Sequence, residues 1–316
     1  MDEIRKAIAR HGNIWSPQTN TEMMELYEPL HAQRAPEFEA TIEVEKGIKY
    51  GSDARHRVDV YRPARAPEPG VVRSALPVVV FFHGGGFTSG DTDITPSMHG
   101  NIGHFLASNG CIGILATYRL LPEARYPSGG EDVSLALRWV WDHVSQYGGD
   151  LARITAVGQS AGGAHLASAL WDGHLHRAGQ GVDLHLAGVV LLSPPMSYDL
   201  RLARRRANML QYHNTDSDEY ILDRTGVSVF SRYANATVDS KDNPALEPKL
   251  LLMVAELDSD EIVEANLAFV DAYRARYRRM PLFEVVAGHN HISYTLAIGL
   301  PEQDPVGRRV LAFATA

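Results

Sequence analysis

The segment Gly158-Gln159-Ser160-Ala161-Gly162 sets a serine in the spacing G-x-S-x-G, with the apolar run Ile154–Val157 before it and a helical pattern from Gly163 onward. A sharp strand-to-helix turn holds such a serine in strained backbone, and the flanking positions must be small because neighbouring main chain passes close by. The free N–H groups and dipole at the start of the following helix favour negative charge forming beside the hydroxyl. The chemistry this suits is nucleophilic attack on an acyl carbon. Glycine-rich turns of this kind also occur as plain connections, so the pentapeptide alone does not carry that reading.

A second segment supports it. His83-Gly84-Gly85-Gly86-Phe87 follows directly on the apolar run Val78–Phe82. Consecutive glycines cost backbone entropy and are expected where main chain takes unusual dihedrals or closely approaches a ligand. Attack on an acyl carbon builds charge on the carbonyl oxygen, which preorganised N–H donors stabilise. The expected donors of this oxyanion hole are Gly85, Gly86 and Ala161; the plainer alternative for the glycine run is a simple turn.

A serine hydroxyl is a poor nucleophile at neutral pH and needs a base within hydrogen-bond reach, itself oriented by a carboxylate. After a nucleophile turn of this kind the chain order is serine, acid, histidine. The run Leu250–Ala255 leads into Glu256-Leu257-Asp258-Ser259-Asp260-Glu261, and Leu282–Val286 leads into Gly288-His289-Asn290-His291. Both fall at C-terminal ends of strands, where ligand crevices of open α/β sheets form. Asp258 is the expected acid with Asp260 as competitor, the unused one capping the next helix. His291 is the expected base, with His289 otherwise a surface or supporting residue.

The elements that must position these residues show in the pattern of the chain. Arg57–Tyr61, Val78–Phe82, Ile112–Thr117, Ile154–Val157, Ala187–Leu192, Leu250–Ala255 and Leu282–Val286 read as strands, several of them apolar throughout, as strands covered on both faces are. Amphipathic segments such as Gly130–Tyr147, Gly162–Trp171 and Asp260–Tyr277 lie between them, so the fold class is α/β with a mostly parallel central sheet flanked by helices. No internal repeat or low-complexity tract is present, only a Pro/Ala/Arg-rich connector from Pro63 to Ala75 joining two strands. Residues 1–45 and 197–245 do not fit the alternation. They are read as a helical lid over a core built from 46–196 and 246–316. In the insertion Tyr198, Met209, Tyr212, Tyr220, Phe230 and Tyr233 suit a partly apolar cover; the alternative is a packing insertion without ligand contact.

Composition narrows the classes. With 316 residues, 45% hydrophobic and 22% charged, the chain fits one catalytic domain of a water-soluble protein, and no apolar run approaches the ~20 residues that span a bilayer. The charged N-terminus lacks the features of a secretory signal, so cytoplasmic residence is the expectation. The lone Cys111 cannot form an internal disulfide and is read as buried and inert. A formal charge of −8 argues against nucleic acid as a partner, and Arg201, Arg204, Arg205 and Arg206 read as a solvated helix face. His165, His174, His176 and His185 lack zinc-site spacing, so no metal or organic cofactor is expected. The expected partner is a small-molecule ester, with self-association as a homodimer left open.

Together these segments resemble the hormone-sensitive-lipase-like carboxylesterase branch of the α/β-hydrolases, from about Tyr50 onward. The resemblance lies in His83–Phe87, in Tyr118-Arg119-Leu120-Leu121-Pro122-Glu123 and in Ser160–Gly163. It implies the α/β-hydrolase fold, hydrolysis of small esters with short-chain or aromatic groups, and structural roles for Arg119, Glu123 and Asp132 in buttressing the turn and glycine loop. The branch usually carries Asp where Gln159 stands and a longer spacer between the acids. The Gly-Gln-Ser-Ala-Gly-Gly form is also similar to arylformamidase-like and feruloyl-esterase-like relatives, so N-acyl arylamines are an alternative substrate. The branch also includes non-catalytic receptors that lack the histidine, which this chain retains.

Overall fold

A computed structural model of the chain describes residues 2–64, 74–175, 184–236 and 248–316. Its strands are β1 (Ile42–Lys49), β2 (Arg57–Pro63), β3 (Leu76–Phe82), β4 (Ile112–Ala116), β5 (Gly149–Gln159), β6 (Gly188–Leu192), β7 (Lys249–Leu257) and β8 (Leu282–Asn290). Among the described residues they form one eight-stranded sheet in the order β1-β2-β4-β3-β5-β6-β7-β8. β2 pairs antiparallel with both of its neighbours, and every pair from β4 to β8 is parallel.

The apolar strands are covered on both faces, as their composition requires. Along β3, Val78, Val80 and Phe82 enter one core while Val79 and Phe81 enter the other. Removing such side chains from water contributes ~1.5–3 kcal/mol each. The N-terminal helices are α1 (Asp2–His11), α2 (Pro17–Ala32) and α3 (Ala35–Glu39). The first core receives α5 (Ser128–His143), α6 (Ala161–Trp171) and, after the insertion helices α7 to α9 described below, α10 (Asp260–Tyr277); the second receives α4 (Gly100–Ser108), the short α11 (Ser293–Leu296) and the C-terminal α12 (Pro305–Thr315). α10 opens with acidic Asp260 and Glu261, which suit the positive end of a helix dipole.

β1 has no counterpart among the strands expected from sequence, and it begins inside the segment assigned to the lid. It is an edge strand whose central residues are exposed, so charged Glu43, Glu45, Lys46 and Lys49 replace the apolar signal of a covered strand. The connector from Pro63 to Ala75 joins β2 to β3, with 65–73 outside the described residues. Also outside them are 176–183, with His176, and 237–247, which take in the end of the insertion.

α1 and α2 pack through Ile4, Ala7, Ile8, Met23 and Tyr27 onto Met98, Leu296, Ala297 and Leu300. The insertion carries α7 (Ala203–His213), α8 (Asp218–Leu222) and α9 (Gly226–Ala236). Tyr198, Met209, Tyr212 and Ile221 form a separate cluster with Phe87, Leu121 and Ala161. Phe230, expected in the cover, instead joins the main core, 5.0 Å from both Trp171 and Phe269. The arginine group is not simply solvated: Arg205 pairs with nearly buried Glu261 at 2.8 Å, Arg206 pairs with Asp218, and Arg204 lies over the Trp15 ring. Among the described residues no helix is long and apolar enough to cross a membrane.

Candidate active site

Ser160 stands between the end of β5 and the start of α6 at φ 49°, ψ −119°, a left-handed conformation that a residue with a side chain rarely adopts. The turn closes because its glycines allow contact no side chain would permit. A Cβ on Gly162 would fall 2.3 Å from the carbonyl oxygen of Phe82, and one on Gly158 would fall 2.6 Å from the Gly163 Cα. The backbone N–H of Ser160 donates to the carbonyl of Leu192 at the end of β6, at 2.8 Å. The residue is half-buried at the C-terminal edge of the sheet.

Ser160 Oγ lies 2.9 Å from His291 Nε2, and His291 Nδ1 lies 2.6 Å from Asp258 Oδ1. An ionised carboxylate can only accept, so Nδ1–H donates to Asp258 and Nε2 is left to accept the serine proton. The acid's other oxygen, Oδ2, accepts from Ser193 Oγ at 2.6 Å and from the Ala255 N–H at 2.7 Å. The competitors stand elsewhere. Asp260 is exposed at the first turn of α10, where Asn13 donates to it at 3.4 Å. His289 is buried against Ser293 Oγ at 3.0 Å, and burial lowers its pKa.

The glycine loop lies over the same turn. Gly85 takes φ 133°, where an added Cβ would sit 1.9 Å from the Ser89 carbonyl oxygen, and Gly86 takes φ 61°, where a Cβ would meet nothing within 4 Å. Its own turn bonds accept on Gly85 O, from the N–H groups of Thr88 and Ser89. Among the described residues the N–H groups of Gly85, Gly86 and Ala161 donate to no protein acceptor. The loop's base is anchored by Gln159, whose carboxamide oxygen accepts the Gly84 N–H, and by the Tyr118 hydroxyl, which donates to the His83 carbonyl at 2.6 Å. His83 stacks on Tyr118, and burial pushes its pKa down to about 3.

Arg119 and Asp132, expected to buttress the turn and the glycine loop, bind each other. The fully buried Asp132 accepts from the Arg119 backbone and guanidinium at 2.7–3.1 Å and meets His56 at 3.0 Å. Glu123 does not join them. It is exposed on the segment before α5. Cys111 is buried, which raises its thiol pKa to about 11. Among the described residues no group of three or more His, Cys, Asp or Glu could hold a metal ion.

Two partners in this network had no signal in the sequence. Ser193 sits in no motif, and Gln159 is notable only as a departure from a pattern. Both act through contacts between adjacent strands, which composition and spacing do not encode.

The profile of a family described as "alpha/beta hydrolase fold" matches residues 79–275, more than half of the chain. Among curated proteins the chain is 32% identical over 186 residues to the esterase LipI of Mycobacterium tuberculosis, an alignment covering 59% of this chain and 52% of that protein. It is 43% identical over 102 residues to the carboxylesterase NlhH of the same organism, covering 32% of this chain and 31% of that one. The chain thus spans about half or less of the length of these relatives. In structure it is similar to a phosphonate-inhibited esterase B from Lactobacillus rhamnosis, with a TM-score of 0.68, 20% identity and coverage of 93% and 96% of the two chains. The carboxylesterase EstE1 from a metagenomic library gives 0.62, 22% and 95% of each chain. At such identities these likenesses speak to the fold.

Proposed function

The chain belongs to the α/β-hydrolase fold family, and on that premise we propose that it is a serine hydrolase cleaving small carboxylic esters through an acyl-enzyme. The observation that carries this is the continuous chain of contacts from Ser160 through His291 to Asp258, at 2.9 and 2.6 Å. His291 takes the Ser160 proton as Oγ bonds to the acyl carbon, and Asp258 stabilises the imidazolium that results. The N–H groups of Gly85, Gly86 and Ala161 receive the oxyanion, each such donor being worth ~10²–10³ in rate. His291 then protonates the departing alkoxide oxygen, and water repeats the sequence on the acyl-enzyme to release the acid.

The side chains beside the oxyanion donors bear on the substrate. Phe87, Leu121, Tyr198, Met209 and Tyr212 surround Ala161 with apolar and aromatic surface, which favours an uncharged acyl or aryl group. The insertion from Ser197, together with α1 and α2, would serve as the cover that excludes water from this crevice.

The test is hydrolysis of p-nitrophenyl acetate and butyrate, run beside longer-chain esters, aromatic esters and N-formyl arylamides. Wild-type protein is expected to cleave the short or aromatic esters, and Ser160→Ala to remain folded and inactive. Unchanged activity in Ser160→Ala would overturn the proposal, and activity confined to the arylamides would overturn the ester assignment.

A further inference from the structure

We infer that Ser193 is a positioning residue for this reaction, its hydroxyl fixing the Asp258 carboxylate so that Oδ1 is held toward His291. The inference rests on the serine-hydrolase reading above.

The Asp258 side chain has no exposure to solvent. A carboxylate so placed needs protein donors for both oxygens. Oδ1 is committed to His291, so Oδ2 decides how the group is turned about its Cβ–Cγ bond. Its donors are the Ser193 hydroxyl at 2.6 Å and the Ala255 N–H at 2.7 Å. The Ala255 N–H also approaches Ser193 Oγ at 3.3 Å, so the serine, the amide and the carboxylate close a three-membered cluster. With the hydroxyl gone, one shared amide would hold Oδ2 and the carboxylate could turn away from the imidazole.

The backbone at this position is equally particular. Ser193 is fully buried at φ 45°, in the left-handed region that favours glycine. A turn needing only that conformation would be served better by glycine. Its N–H donates to the Met253 carbonyl of β7 at 2.8 Å, while the preceding residue, Leu192, accepts the Ser160 N–H from β5 at 2.8 Å. The end of β6 therefore ties the nucleophile strand on one side to the acid strand on the other. Ser193 is the residue there whose side chain reaches the acid.

The experiment is a double-mutant cycle on p-nitrophenyl butyrate hydrolysis, with Ser193→Ala and Ser193→Gly each made in the wild-type and the Asp258→Ala backgrounds and folding checked by thermal unfolding. Loss of a hydrogen bond to a charged group should lower kcat about tenfold in both Ser193 variants with KM within about twofold of wild type. In the Asp258→Ala background neither substitution should lower kcat further, because the group that Ser193 orients is gone. Equal losses in both backgrounds, or wild-type kcat in Ser193→Ala, would overturn the inference. Ser193→Gly suits φ 45° and carries the test if Ser193→Ala is unstable. Failure of both to fold would assign Ser193 to the core and also overturn it. Ser160→Ala in the same assay separates the two claims: residual activity there defeats the serine-hydrolase reading, whereas an inactive Ser160→Ala beside an additive cycle defeats the Ser193 inference alone.

Discussion

Gln159 holds Gly84: the carboxamide oxygen of the residue before Ser160 accepts the N–H of the first glycine in the loop at 2.9 Å, with both groups buried. The Ser160 turn and the glycine loop are thereby joined by a hydrogen bond. The approach depends on Gly84 having no side chain, since a Cβ there would lie 2.7 Å from the same oxygen.

Replacing Gln159 with Leu keeps the volume roughly constant and leaves the Gly84 N–H buried without a partner. An unpaired buried donor costs about 1–3 kcal/mol. Thermal unfolding should register that loss, and kcat on p-nitrophenyl esters should fall by about tenfold or more with a smaller change in KM, because the donors are displaced from where charge develops.

Gly85 and Gly86 should respond very differently to alanine. At Gly85 the new Cβ meets backbone at 1.9 Å, which no rotamer change can relieve. Gly85→Ala is expected to lose activity by about 10²-fold or more, with a lowered melting temperature. Gly86→Ala meets open space and carries mainly the left-handed backbone cost of about 1–2 kcal/mol. It should fold and retain more activity, as kinetics and circular dichroism on the two variants would show.

For the acid and the base, paired substitutions give the contrast. Asp258→Asn should lower kcat by up to about 10⁴-fold by removing the ionised partner that orients the imidazole. Asp260→Asn, at an exposed helix start, should stay within a few-fold of wild type. His291→Ala should abolish turnover. His289→Ala should act on stability through the lost Ser293 contact rather than on chemistry.

Acid should destabilise the fold through its buried histidines. Burial holds His83 at about 3 and both His165 and His213 at about 4, below their ordinary 6.5. Between these values and 6.5 the unfolded chain binds protons that the folded chain does not. Stability is therefore fully present above about pH 6.5 and is lost as pH falls toward 4, by up to about 1.4 kcal/mol per pH unit for each histidine. His213 stacks on Tyr126 at 4.7 Å, and among the described residues neither ring nitrogen has a hydrogen-bond partner. His213→Phe should preserve the packing and make the fall of melting temperature between pH 7 and 5 shallower, by about one histidine's share.

Features that obey local rules can be read from the residues alone. Strands covered on both faces must be apolar throughout, so β3 and β6 were legible as runs, and α10 was legible from Asp260 to Tyr277 by its period. The serine turn and the glycine loop were legible because only glycine fits where backbone passes backbone, as at Gly162 and Gly85. Features that depend on how separate strands meet emerge only in the assembled fold. His291 meets Asp258 across 33 residues and Ser160 across 131, contacts that Asp260 and His289 do not make and that come from how β7, β8 and the turns ending them are placed. The same holds for Ser193 at Asp258, Gln159 at Gly84, Phe230 in the main core and Glu123 in solvent. A side chain's partner is fixed by the direction it leaves the backbone and by what neighbouring elements bring to that point, and neither quantity is written in the spacing of residues along one segment.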